Sequence, residues 1–149
     1  MFKRVPYTER FGCVSDDSTE DSVELTAQQD RDLHHAIRQA GVRLNQEYGL
    51  GYRVKTYNGL LSAEFKAERI TYQFRPQTNL TFGSKDLGKG VCDCFLVDGR
   101  CVVNLLALYD SIHPAHRATT QSYMRHLDAA FGCIINFGKR ELQFQLVTP

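Results

Sequence analysis

"VCDCFLVDGRCVVNLLAL", residues 91–108, is the stretch on which the fold turns. Val, Leu, Phe and Cys crowd both sides of Asp98-Gly99, and an Asp-Gly pair between such runs is the strongest short-range hairpin signal. The pattern predicts strands over 90–97 and 100–108 at the centre of a sheet. With Asp98 and Gly99 as the two loop residues, Val97 faces Arg100, Phe95 faces Val102 and Asp93 faces Asn104. Side chains two apart share a strand face, so Leu106 joins Asp93 and Asn104 on one surface. A carboxylate and an amide set into apolar text then need a reason. They are a hydrogen-bonded polar pair, a small-ligand site, or the trace of a catalytic one.

Outward from the hairpin the chain alternates helix and strand signals. Residues 1–24 are polar, turn acidic in "SDDSTEDSVE" and lack periodicity, which predicts a flexible N-terminal arm before a single domain over 25–149. Thr26 and Gln29 form a capping box ahead of a first helix on which Leu33, Ile37, Ala40, Leu44 and Tyr48 recur at helical spacing up to Gly49. A second helix is expected within 52–70, with Leu50, Val54, Tyr57, Leu61 and Phe65 on one stripe despite Gly59. "ITYQF" (70–74) and "NLTF" (79–82) read as short strands, and "GSKDLGKG" (83–90) as a polar loop. Beyond the hairpin, Pro114 opens a third helix that closes before Gly132, and "CIINF" (133–137) and "ELQFQLV" (141–147) finish as strands. The expected class is α/β, a mixed sheet with helices packed on it.

At 149 residues the chain suits one core. Eighteen basic and seventeen acidic residues leave a net charge of +1, so no whole-molecule field indicates a nucleic-acid partner, although a local patch is left open. The longest apolar run falls short of the ~20 residues of a membrane helix, so no membrane association is expected. The N-terminus has no secretory pattern, and a cytoplasmic address follows.

Cys13, Cys92, Cys94, Cys101 and Cys133 form an odd set, four of them in strand-like text, and read as reduced thiols. A zinc reading of the last four is disfavoured. Cys92 and Cys94 would lie ~7 Å apart on one strand face, whereas closed zinc sites take ligands from turns. His113 and His116 straddle the start of helix three, where capping is commoner than metal binding, and His34, His35 and His126 mark no site. Lys55, Lys66 and Arg69 read as a solvated face.

The ordered set of features resembles the GxxExxY proteins of the PD-(D/E)XK nuclease superfamily over roughly residues 30–147. The likeness rests on Gly49, Gly51 and Tyr57, the Asp-hairpin-strand unit from Asp93 to Ala107, His116, Tyr123, and "INFG" from Ile135 to Gly138. It implies a restriction-endonuclease-like mixed central sheet flanked by helices. It also implies a face bearing an Asp, a Glu-x-Lys pair and a helix Glu, which hold Mg²⁺ and activate water for phosphodiester hydrolysis. Position by position, the Asp is Asp93, the Glu falls on Asn104, the Lys on Leu106 and the helix Glu on Val54. A further family Gln falls on Thr119, with Gln121 two residues away.

The implied protein is a catalytically degenerate nuclease-fold domain with a binding, assembly or regulatory role. It would work through an unidentified protein partner or a homo-oligomer, without a cofactor, and Asp93 would be the ligand if any metal bound. Two alternatives stand beside it: an active Mg²⁺-dependent nuclease with carboxylates relocated to Asp86, Asp110, Glu47 or Glu64, and a zinc- or redox-linked thiol protein. The discriminating geometry is whether Asp93, Asn104, Leu106 and Val54 converge on one cleft.

Overall fold

The computed structural model describes residues 14–16, 25 and 27–149. Helix α1 (Gln28–Tyr48) turns Leu33, Ile37, Ala40 and Leu44 inward, as the 3.6-residue spacing requires, and leaves Tyr48 half exposed. Gly41 lets this helix sit close on the sheet, where an added Cβ would stand 3.3 Å from Leu142 and 3.5 Å from Ile135. The N-cap is Ala27, and the expected cap at Thr26 lies outside the described residues. Gly49 ends the helix at φ 66°, a left-handed conformation that costs glycine little, with its N–H donating to the Asn45 carbonyl.

Helix α2 (Val54–Ala67) buries Tyr57, Leu61 and Phe65, whereas Leu50 and Val54, placed on the same stripe by the sequence, are exposed. The stripe ends there because Val54 opens the helix and both residues lie beyond the core's reach.

Eleven elements are described in all. Besides the two helices they comprise β1 (Val14–Asp16), β2 (Tyr72–Phe74), β3 (Gln77–Phe82), β4 (Lys85–Val91), β5 (Phe95–Val97), β6 (Cys101–Leu106), α3 (Pro114–Leu127), β7 (Phe131–Asn136) and β8 (Leu142–Val147). The main sheet has the order β1-β8-β7-β6-β5-β2, with β6 parallel to β7 through α3 and β7 antiparallel to β8. Strand β1 pairs parallel to β8, so part of the expected arm takes a place in the sheet. Residues 1–13 and 17–24 of that arm lie outside the described residues. Among the described residues no helix is long and apolar enough to cross a membrane.

Three local expectations are corrected. "GSKDLGKG" is not a loop, because Lys85–Val91 forms β4, which pairs with β3 around a Gly83-Ser84 turn. This two-stranded ribbon stands apart from the main sheet and is exposed along most of both strands. It therefore shows neither the alternation nor the apolar content by which half-buried strands are recognised. Second, the strand expected over 90–97 is interrupted. Cys92–Cys94 turns tightly, with the Cys94 N–H donating to the Cys92 carbonyl, and only Phe95–Val97 enters the sheet.

Third, the hairpin register differs by one residue: Val97 pairs with Cys101, Leu96 with Val102 and Phe95 with Val103. The predicted turn does form, with Asp98 and Gly99 at φ 54° and 64° and the Arg100 N–H donating to the Val97 carbonyl at 3.0 Å. Arg100, however, is engaged elsewhere. Its carbonyl accepts from the Ala130 N–H, and its guanidinium grips the Asp30 carboxylate at 2.5 and 2.9 Å. The ladder starts one residue later, and Asp93 is not the cross-strand partner of Asn104.

Two cores flank the sheet. Beneath α1 and α2 lie Ile37, Tyr57, Phe65, Phe95, Phe131 and Phe137, and beneath α3 a smaller set includes Cys92, Cys94, Val102, Met124 and Ile134. Gly132 admits α3 closely, since a Cβ there would meet Met124 Sδ at 2.9 Å.

Candidate functional site

A cleft of about 640 Å³ opens where the end of β6, the start of α2 and one side of α3 meet. Alternation along β6 directs Asn104 and Leu106 to the α3 side, while Val103 and Leu105 face the larger core. Asp93, Asn104, Leu106 and Val54 all line this cleft, as do Thr119, His116 and Tyr123. The convergence therefore survives the corrected register. Asp93 reaches the cleft from the Cys92–Cys94 turn instead of from a paired strand. Gln121 faces away, and its amide donates to the Thr148 carbonyl at 3.1 Å.

Asp93 is the only carboxylate among the lining residues. It is largely exposed and pairs with Arg75 at 3.3 Å, the backbone N–H of Arg75 being held by the Cys94 carbonyl. Asn104, nine-tenths buried, donates from Nδ2 to Thr120 Oγ1 at 3.2 Å. The orientation of this amide follows from its neighbour. The Thr120 hydroxyl proton goes to the His116 carbonyl at 2.9 Å, so Thr120 Oγ1 can only accept from Asn104. Asn104 Oδ1 is left without a protein donor among the described residues.

Thr119 donates to the Ala115 carbonyl, an ordinary helical back-bond. His116 Nδ1 accepts from the His113 N–H at 3.0 Å and so serves as a cap for α3, which places the ring proton of its neutral form on Nε2.

The four carboxylates considered as relocated ligands do not line the cleft. Glu64 is buried against Arg43, and Asp86 caps the ribbon's own Gly88 N–H. Among the described residues no three His, Cys, Asp or Glu side chains come together as a metal-binding group. The thiols are poor nucleophiles: burial is the main cause that pushes Cys94 up to about 12, and it also raises Cys92 and Cys101.

Several motif positions have structural work. Tyr57 donates its hydroxyl to the Gly49 carbonyl at 2.6 Å and stacks on Phe137 at 4.5 Å, fastening the turn before α2 to the end of β7. Burial raises its phenol pKa. Asn136 binds the 108–110 segment three times, accepting from the Leu108 N–H and donating to the Leu108 and Asp110 carbonyls. Gly138 is required beside it, because a Cβ would lie 2.2 Å from the Leu108 carbonyl oxygen.

The sequence did not single out Tyr52, Arg53, Asn58 and Tyr109, which also line the cleft. Tyr52 and Arg53 follow Gly51 directly, and that adjacency was the available signal. Neither the curated proteins nor the solved structures include a match to this chain. The family model that describes the PD-(D/E)XK nuclease superfamily matches residues 31–147, most of the chain, and on that match the chain belongs to this superfamily.

Proposed function

We propose that this chain is a catalytically degenerate PD-(D/E)XK domain of the GxxExxY type, whose cleft binds and does not cut. The observation that carries this reading is that Asp93, Asn104, Leu106 and Val54 share one cleft, with one carboxylate among the four. Mg²⁺ sheds its water reluctantly and is held by carboxylates together with substrate phosphates. One exposed Asp already paired with Arg75, an amide, and two aliphatic side chains do not fit that ion. Leu106 can neither move a proton nor carry a positive charge, and losing a general acid or base alone costs about 10²- to 10⁴-fold.

The positions of Asp86, Asp110, Glu47 and Glu64 outside the cleft argue against relocated ligands. The burial of Cys92, Cys94, Cys101 and Cys133 argues against a zinc or redox centre.

The test is incubation of the purified chain with single- and double-stranded DNA in Mg²⁺ and in Mn²⁺. No metal-dependent cleavage is expected, and cleavage that Asp93→Ala abolishes would overturn the reading.

A further inference from the structure

Asn104 stands nine-tenths buried at the cleft with one amide proton committed to Thr120 and Oδ1 unused, its second Nδ2 proton having no acceptor among the described residues. An amide that offers one acceptor beside one donor at the wall of an open cleft leaves hydrogen-bonding capacity that water or a ligand can take up. Its complement is a planar edge with a donor next to an acceptor. That edge is the amidine edge of adenine, which carboxamide side chains pair with in two hydrogen bonds.

The surroundings suit a flat ring. Tyr52, Tyr109, Tyr123 and His116 supply aromatic surface around the cleft, and Leu106 and Val54 supply apolar floor where the superfamily's charged groups would stand. At about 640 Å³ the cleft falls in the range of small-ligand sites.

The cleft also carries a basic side chain. Arg53 lines it and is the N-cap of α2, a fourteen-residue helix with no capping side chain and no acidic residue in its first turn. Free N–H groups and the positive end of the helix dipole, beside a guanidinium, favour an anion there.

We infer that the cleft holds an adenine mononucleotide without a metal, its base edge on Asn104 and its phosphate at Arg53 and the first turn of α2. The inference rests on the binding, non-cutting reading of the same cleft.

The experiment is calorimetric titration of the full chain in EDTA with adenosine monophosphate, adenosine, inorganic phosphate and a short single-stranded oligodeoxyadenylate. Adenosine monophosphate should bind at one saturable site, more tightly than phosphate or the oligonucleotide. Asn104→Leu should weaken it roughly tenfold or more, the worth of one bidentate base contact. Arg53→Ala, at an exposed position, should weaken the monophosphate and leave adenosine unchanged, which decides the matter even if Asn104→Leu fails to fold.

No saturable binding of the monophosphate, equal binding by a folded Asn104→Leu chain, equal loss of adenosine and monophosphate in Arg53→Ala, or tighter binding of the oligonucleotide would overturn the inference. A cleavage assay on the same protein separates the two failures. Metal-dependent cutting sinks the non-catalytic reading, whereas absent nucleotide binding without cutting sinks only the ligand assignment.

Discussion

On one side of the sheet, α1 and α2 press Ile37, Leu61 and Phe65 onto Phe95, Phe131 and Phe144, all fully buried; on the other, α3 covers a smaller set with Cys92, Cys94, Val102 and Met124. The first side is also locked by charge, with Arg43 on Glu64 and Glu68 and Arg100 on Asp30. The second side has the polar pair Asn104 and Thr120 in its wall and opens into the cleft. Stability is concentrated on the face with the large rings. The lightly covered face is where residues can change chemistry without dissolving the fold, and on the reading proposed above Asn104 and Leu106 stand there at the superfamily's acidic and basic positions.

The comparison breaks first if the large-ring face proves expendable. Phe95 meets the rings of Phe65, Tyr72 and Phe74 at 4.8–5.7 Å, so Phe95→Ala should lower unfolding free energy by about 3–5 kcal/mol in urea titration. A loss near that of an exposed site would mean the core has been misplaced.

Next in size, Gly138→Ala forces a Cβ against the Leu108 backbone and should cost about 1–3 kcal/mol while shifting the amide resonances of residues 108–112. Unchanged resonances there would remove the role assigned to the "INFG" segment.

A smaller effect depends on pH. The hydrogen bond from Arg100 holds the Asp30 carboxyl below its ordinary value, outweighing the opposing effect of burial. A depressed carboxyl contributes stability above its unfolded pKa of about 3.9 and loses it as pH falls through the lower folded value. Asp30→Asn should therefore be less stable than the parent at neutral pH, with the gap closing on acidification through that range. A gap independent of pH would show that the ion pair is not its source.

The smallest effect is expected on the cleft face itself. Asn104→Leu leaves the Thr120 hydroxyl still bonded to the His116 carbonyl, so the thermal midpoint should move little, as when a polar group is removed without stranding its partner. A collapse of stability would make Asn104 a structural residue.

How much of this was legible follows from what each residue does. The helix periodicities placed α1 and the buried turns of α2 because those side chains face one continuous core. The Asp98-Gly99 turn was readable from its own chemistry, but the register was not, since Arg100 is drawn off by Asp30 seventy residues away. β4 was illegible because an exposed ribbon of Gly, Lys and Asp carries no burial signal. The cleft was reached through the resemblance, and its convergence held because Asn104 and Leu106 keep their face whatever Asp93 pairs with. Tyr52 and Arg53 were missed because their importance comes from where α2 begins in space, which periodicity does not encode.

The central claim is that the cleft no longer holds a catalytic cation. Titration of the chain with Mn²⁺, followed by calorimetry in the presence of a DNA oligonucleotide, tests it most directly. The account predicts no saturable, stoichiometric binding and the same trace for Asp93→Ala. One Mn²⁺ per chain, lost in Asp93→Ala, would contradict it.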